Sequence, residues 1–499
     1  MPQRKTQSNA RKRWKRLSAA ANRVNLEKNN ASVSQMTKLL ISVLLISLSI
    51  SMETFTSTEP PRVILIIGDG LDDQHVTMGR NYLVGMSGEL NLDQMPFRAS
   101  IQIETISSQG DPIYHADSAN TATSIATGVL TSIGRVGTDI NDQDIPTIAE
   151  QAIDEGIRVG LVTTSSLTDA TSAAFLTHVS SRSCQGPKEI FGSSYLGLAQ
   201  PACAQDARIN GGLGSIAEQL VDSGAYVLLG GGAEFFLQKT SDDETVFQRG
   251  NRQGFQIATS LRDLNQALID RPLLGVFGLS TLEVRWQGTD GRTAEPARKN
   301  WLNSISSYLG SVKQPEPIYC EPNPRYDQTP SLVKMTEKAI ELLESSNNSG
   351  FFLMVESASI DKQSHARNPC GSIGEIEQLE EVLAFSNRFV ELHPNTLIIV
   401  TADHSQAAQI IPEPSLDSNN LLPIYSPGRI ARVITPERGV MRINYATTNS
   451  FSEQHTGANV PLFSNDAEGR WLRSYMRQRE IYKSIRKFLF PTSASQVQP

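Results

Sequence analysis

Three short segments in the second half of the chain carry groups with the types and spacing of metal ligands. In Asp361-Lys362-Gln363-Ser364-His365 a carboxylate and an imidazole stand four residues apart, which on a helix places both side chains on one face. Asp403-His404 offers an adjacent oxygen and nitrogen directly after an apolar run, and His455 lies in the glycine-containing stretch Glu453-Gln454-His455-Thr456-Gly457. Of the seven histidines, these three sit beside strand ends or carboxylates; His75, His115, His178 and His393 read as structural or exposed. His and Asp donors without thiolates suit Zn²⁺ with positions left open for a substrate.

A candidate nucleophile heads the run of small residues from Ser118 to Ser124. Asp117 and Ser118 can cap a helix, and residues 119–127 contain neither an aromatic residue nor a proline, so a narrow helix can start there with free N–H groups facing an anion. The helix dipole contributes roughly 0.3–1 kcal/mol, too little to make a serine hydroxyl nucleophilic at neutral pH. No Ser-His-Asp arrangement stands out, so a metal is the expected activator. Zn²⁺ lowers the pKa of bound water from about 15.7 to about 7, and a coordinated serine responds in the same direction. Two metals about 4 Å apart can stabilise the attacking and leaving oxygens of an in-line displacement.

These groups need a frame. Val63-Ile64-Leu65-Ile66-Ile67 is a β-branched run apolar on both faces, as the interior of a helix-covered sheet requires. Similar runs occur at Val159-Gly160-Leu161-Val162, Tyr226-Val227-Leu228-Leu229, Phe351-Phe352-Leu353-Met354-Val355 and Thr396-Leu397-Ile398-Ile399-Val400. Helical patterns intervene at 145–155, 331–345 and 373–391, which predicts an α/β layer fold with a largely parallel sheet. Such folds collect ligands beyond the carboxyl ends of their strands. There the first run meets Gly68-Asp69-Gly70, the fourth meets Glu356, and the fifth meets Thr401-Ala402-Asp403-His404. Three strands thus each deliver a carboxylate to one edge. Residues 183–214, 242–254 and 278–330, richer in Gly, Pro and polar residues, read as excursions from the sheet.

At 499 residues the chain is long enough for one large α/β domain with insertions. Residues 1–51 hold ten Lys or Arg and one acid, while the whole chain carries −7, so −16 falls beyond residue 51. A globular part this acidic argues against nucleic-acid recognition through a basic face. The apolar run from Leu39 to Ile50 follows Lys38, is short for a membrane span, and ends with Ser49 and Ser51 at −3 and −1 of a cleavage after Ser51. Residues 1–51 are therefore expected to be a basic segment with a signal peptide, translation starting at Met36, and no membrane span is expected after cleavage. Residues 52–61 form a lead-in, 62–492 a single catalytic domain, and 493–499 a tail. The four cysteines allow three pairings, of which 184–203 with 320–370 closes the shorter loops.

Gly68-Asp69-Gly70, Asp117-Ser118-Ala119, Asp169-Ala170-Thr171, Ser181-Arg182, Val355-Glu356 with Ile360-Asp361-Lys362-Gln363 and His365, Thr401-Ala402-Asp403-His404, and His455-Thr456-Gly457 together resemble the alkaline phosphatases, the bacterial periplasmic members above all. The likeness is colinear from about Arg62 to the C-terminal helix. It implies a three-layer α/β/α sandwich around a large, mainly parallel sheet, and a periplasmic or secreted homodimer. The implied activity is broad hydrolysis of small-molecule phosphate monoesters through a phosphoserine at Ser118. Two Zn²⁺ and one Mg²⁺ per chain are implied: Asp361, His365 and His455 for the first zinc; Asp69, Asp403, His404 and Ser118 Oγ for the second; Asp69, Thr171 and Glu356 for magnesium. Arg182 resembles the phosphate-clamping arginine, and Asp169 with Lys362 the pair that holds waters around magnesium and phosphate. Cys184, Cys203, Cys320 and Cys370 fall where the bacterial family has disulfides 184–203 and 320–370.

The chain departs from the pattern at Ser172, where the enteric enzyme has proline, and at His115, where an apolar residue is usual. Residues 405–454 show little likeness. A sulfatase would need a Cys-x-Pro-x-Arg segment, which the sequence lacks, and the diesterases of the superfamily usually place threonine at the nucleophile. The remaining alternative is a secreted phosphate- or metal-binding protein without turnover, against which Ser118, Arg182 and the full donor set speak.

Overall fold

The computed structural model describes residues 59–491 apart from 196, 307–308, 310, 346, 348 and 414–425. The expected signal segment with Met36, most of the lead-in and the tail lie outside the described residues. The β-branched run forms β1 (Arg62–Gly68), in which all seven residues are buried. Nine further strands join it: β2 (Phe97–Gln102), β3 (Arg158–Ser166), β4 (Val227–Gly231), β5 (Gln256–Ala258), β6 (Leu273–Val276), β7 (Phe351–Ser357), β8 (Thr396–Thr401), β9 (Val460–Ser464) and β10 (Tyr475–Arg477). Their order is β10-β2-β9-β8-β1-β7-β3-β4-β6-β5. β9 runs antiparallel to both neighbours, β8 and β2, while the other pairings are parallel.

Helices cover both faces. α1 (Asp73–Leu83), α5 (Leu332–Glu344) and α7 (Pro369–Leu392) pack together on one side, and α2 (Ser118–Thr127), α3 (Ile148–Asp154), α4 (Ala170–Ala173) and α8 (Glu480–Leu489) on the other. The result is the expected α/β/α sandwich. α3 begins at Ile148 rather than at 145 because Thr147 caps it, accepting from the Glu150 N–H at 3.1 Å while the Glu150 carboxylate accepts from the Thr147 N–H at 2.8 Å. α7 starts four residues ahead of its apolar pattern because Asn368 caps it and Pro369 suits the first helical position.

The three expected excursions all lie outside the main sheet. Residues 242–254 contain the helix Val246–Arg252, capped by Thr245 with Gln248, anchored by buried Val246 and tied down by Arg249 on Asp222 at 2.8 Å. Residues 183–214 and 278–330 do leave the sheet, as short hairpins and 3₁₀ turns. Each is pinned by a disulfide, Cys184–Cys203 and Cys320–Cys370 respectively. Among the described residues, no helix is long and apolar enough to cross a membrane.

Candidate active site

Strand register brings the carboxylates together. Ile67 of β1 lies opposite both Glu356 of β7 and Thr401 of β8, so Asp69, Glu356 and Asp403 emerge at one level of the sheet edge. The turn after β1 requires Gly70, whose φ of +72° is left-handed and whose N–H donates to Asp403 Oδ1 at 3.0 Å. A Cβ there would stand 3.0 Å from the Cβ of Asp361.

α6 (Ser359–His365) carries the four-residue spacing, and Asp361 Oδ2 lies 3.3 Å from His365 Nε2. His455 Nε2 is 3.4 Å from Asp361 Oδ1 and 3.0 Å from His365 Nε2. A second set forms around His404 Nε2, with Asp403 Oδ2 at 3.4 Å, Asp69 Oδ1 at 3.5 Å and Ser118 Oγ at 3.3 Å. Ligands 2.0–2.2 Å from a tetrahedral zinc stand roughly 3.3–3.6 Å from one another, the spacing of His404 from its three neighbours and of Asp361 from both histidines, while the two histidine nitrogens at 3.0 Å stand closer than that. Each histidine turns Nδ1 to a backbone carbonyl: His365 to Glu453 at 2.5 Å, His455 to Ala116 at 2.8 Å and His404 to Ser405 at 3.3 Å. A carbonyl only accepts, so the neutral rings carry the proton on Nδ1 and present the Nε2 lone pair inward. Asp69 Oδ1 and Asp403 Oδ2 are buried without a hydrogen-bond partner, which a cation between them remedies. The donor set therefore fits the metals implied.

Ser118 opens α2, whose ten residues are all buried. Asp117 caps the helix in a reciprocal box with Asn120 and also accepts from the Gly134 N–H at 3.1 Å. The same carboxylate accepts from Arg182 Nη1 at 3.2 Å, while Asp169 accepts from Arg182 Nη2 at 2.8 Å and from Lys362 Nζ. The Arg182 side chain is one-third exposed, and three of its five N–H groups stay available to an anion. Thr171 is buried in α4, which packs against β7, the strand that carries Glu356, and Glu356 accepts from Thr163 Oγ1 at 2.6 Å.

Four buried carboxylates, Asp69, Glu356, Asp361 and Asp403, thus share a small volume. Burial, then the charges of Asp403, Asp361 and Glu356, push the Asp69 carboxyl well above the usual range. Burial, with Asp169 and Asp403 adding, pushes Glu356 up to about 8. Burial also works to raise Asp361, but His365 and His455 hold it well below the ordinary carboxylate value. Asp169 is held far down against burial by Lys362 and Arg182, and both cations are raised in return.

The structure brings together the residues singled out in the sequence and adds others. A Ser-His-Asp chain does exist: His75 Nε2 lies 2.9 Å from Ser364 Oγ and His75 Nδ1 2.8 Å from Asp72 Oδ1. All three side chains are buried; Asp72 also accepts from Ser405, whose hydroxyl meets Thr456 Oγ1 at 2.6 Å. Gln406 donates to Asp361 Oδ1 at 2.6 Å. Asp117 on Arg182, Asp72 and Gln406 escaped sequence reasoning; for Gln406 the signal was its place two residues after His404. His115 is exposed, and Ser172 is buried with its hydroxyl donating to the Leu167 carbonyl at 3.0 Å.

A parallel-sheet sandwich presenting a serine, an arginine and clustered His and Asp donors at its carboxyl edge defines a metal-dependent phosphoryl-transfer hydrolase. Residues 61–460 match the sequence model of the alkaline phosphatase family, and the chain belongs to that family. It is 38% identical to the alkaline phosphatase of Escherichia coli over 410 residues, 80% of each chain. It is 37% identical to streptomycin-6-phosphate phosphatase of Streptomyces griseus, over 80% of this chain and 84% of that one. The alkaline phosphatase of the Antarctic bacterium TAB5 superposes with a TM-score of 0.61 at 21% identity, covering 86% of this chain and 98% of that structure, and a variant of it carries magnesium. The protein is a phosphatase acting on phosphate monoesters.

Proposed function

We propose that this phosphatase works through a phosphoserine at Ser118, with broad specificity for small phosphate monoesters and with two zinc ions and one magnesium ion per chain. The observation that carries the reading is the position of Ser118 Oγ, 3.3 Å from His404 Nε2, beside the unpartnered oxygens of Asp69 and Asp403. Asp361, His365 and His455 would hold the first zinc, Asp69, Asp403, His404 and Ser118 the second, and Asp69, Thr171 and Glu356 the magnesium. When bound, these ions supply Lewis acidity that ionises the serine and neutralises charge on the entering and leaving oxygens.

The chain's own groups do the rest. Asp117 and Asp169 hold Arg182 from two sides, so its remaining N–H donors can clasp two non-bridging phosphate oxygens, a geometry a lysine does not reproduce. Ser118 Oγ attacks phosphorus in line, the P–O bond to the alcohol breaks, and the phosphoryl group rests on Ser118. Water then attacks that phosphorus, and inorganic phosphate leaves with the serine restored. Recognition falls on the phosphoryl group, which accounts for the broad range of alcohols proposed.

The test is a substrate panel on the purified enzyme. Steady release of p-nitrophenol from the monoester, abolished by chelator and restored by zinc with magnesium, is expected. Preferential cleavage of bis(p-nitrophenyl) phosphate would favour a diesterase, and phosphate binding without turnover a binding protein. We also propose a periplasmic or secreted location, supported by the two disulfides, and a homodimer. N-terminal sequencing of the mature protein tests translation from Met36 and cleavage after Ser51; light scattering tests the dimer.

A further inference from the structure

The segment carrying His455 is irregular from residue 446 to 459, yet it delivers an imidazole nitrogen 3.0 Å from that of His365. A buried ion pair runs through it. Arg367, two residues after His365, adopts a left-handed φ of +56° and buries its guanidinium in the loop. Nε donates to Glu453 Oε2 at 2.7 Å, Nη1 to the Phe451 carbonyl at 3.1 Å, and Nη2 to the Ser450 and Thr448 carbonyls at 2.9 and 3.4 Å. Glu453, two residues before His455, is completely buried; its Oε1 accepts from the Thr447 and Thr448 N–H groups at 2.6 and 3.2 Å and from the Thr447 hydroxyl. The main chain of Glu453 engages His365 twice: its N–H donates to the His365 carbonyl at 3.1 Å, and its carbonyl accepts from His365 Nδ1.

A buried ion pair is a poor way to stabilise a fold, because removing two charges from water offsets most of their attraction and an apolar replacement often does as well. Its strength is orientation, since a planar fork on a carboxylate and three carbonyls admits one arrangement. We infer that Arg367 and Glu453 are positioning residues that hold His365 and His455 in converging geometry before any metal binds. The inference rests on reading Asp361, His365 and His455 as the first zinc set. The side chains of both residues bond within the loop and belong to neither proposed ligand set. The pair acts as the outer layer of a metal site, where losses of 10- to 100-fold in affinity are typical on mutation.

The experiment uses full-length mature enzyme stripped of metal and titrated with zinc against a chromophoric chelator, with kcat, KM and the melting temperature of the stripped protein recorded alongside. Glu453→Gln keeps shape and loses charge, and Arg367→Asn suits the left-handed backbone; each is expected to weaken the first zinc at least tenfold. Excess zinc is expected to restore kcat with KM nearly unchanged. Arg367→Lys, which keeps the charge and the fold but not the fork, is expected to fall between. Lower melting temperatures with wild-type zinc affinity in these variants would overturn the inference and leave the pair a fold element. If His365→Ala and His455→Ala also bind zinc like the wild type, the metal reading itself fails, and the inference with it.

Discussion

Arg182 sits two residues before Cys184, and the Cys184 N–H donates to the Ser181 carbonyl, so the first disulfide anchors the turn that aims the guanidinium. Replacing Cys184 and Cys203 together by alanine removes a cross-link with a sequence separation of 19, worth about 3 kcal/mol by loop entropy. The control is the Cys320/Cys370 pair, separated by 50 residues, worth about 4 kcal/mol on the same basis. Stability alone therefore predicts the larger defect in the control. The proposed phosphate-clamping role of Arg182 predicts the reverse, because a freed Arg182 turn would have to be ordered again on phosphate, at about 1–2 kcal/mol for one backbone residue, or near a tenfold rise in the phosphate inhibition constant. Urea unfolding measures the first quantity and competitive inhibition by phosphate at saturating zinc the second. A rise in the inhibition constant that is equal in both double variants, or missing from Cys184→Ala/Cys203→Ala, would refute the reasoning.

Asp117→Asn keeps the cap and the Gly134 contact but removes one negative charge from Arg182, so phosphate inhibition should weaken about three- to tenfold, in line with about 1 kcal/mol for a partly exposed charged hydrogen bond; unchanged inhibition would mean Asp169 alone holds the guanidinium. Gly70→Ala meets both the left-handed backbone penalty of about 1–2 kcal/mol and the Asp361 side chain, so a lowered melting temperature accompanied by zinc loss is expected. His178 is buried with Glu150 at 2.8 Å and the Gly137 carbonyl at 2.8 Å; burial works against its charge, but these partners raise its pKa, while the same contact lowers Glu150 against burial. The histidine contribution is complete below its unfolded value of about 6.5 and disappears as pH rises through the raised folded value, and that of Glu150 is present above about 4.3. His178→Gln should therefore cost about 1–2 kcal/mol at pH 6 and less at pH 9; chemical unfolding at the two pH values that showed equal losses would contradict the assignment.

The sheet centre and the donor set were legible because their signals are local. An apolar run ending in a carboxylate reports both a buried strand and its functional end, and Asp361 with His365 report a shared helix face. The outer strands were not legible: β2 alternates, with Arg98 and Gln102 outward, and β9 carries Pro461, which breaks the strand pattern although its carbonyl serves as an acceptor for Thr401 Oγ1. The helix Val246–Arg252 hid in a polar stretch because its apolar contribution is confined to Val246 and Phe247 in its first turn, with a cap and an arginine pair holding the rest. Asp117 read as a cap, which it is, but its bond to Arg182 spans 65 residues. Glu453 and Arg367 lie 86 apart. Such partners share no spacing rule, and only the folded chain brings them together.

The central claim, that Ser118 is the atom phosphorylated, is tested by acid-quenching the enzyme during turnover of a labelled monoester at low pH and locating the phosphate by peptide mass spectrometry. The expected result is stoichiometric label on the peptide containing Ser118, absent after chelation and absent in Ser118→Ala. Label on another residue, or rapid turnover by Ser118→Ala, would contradict the account.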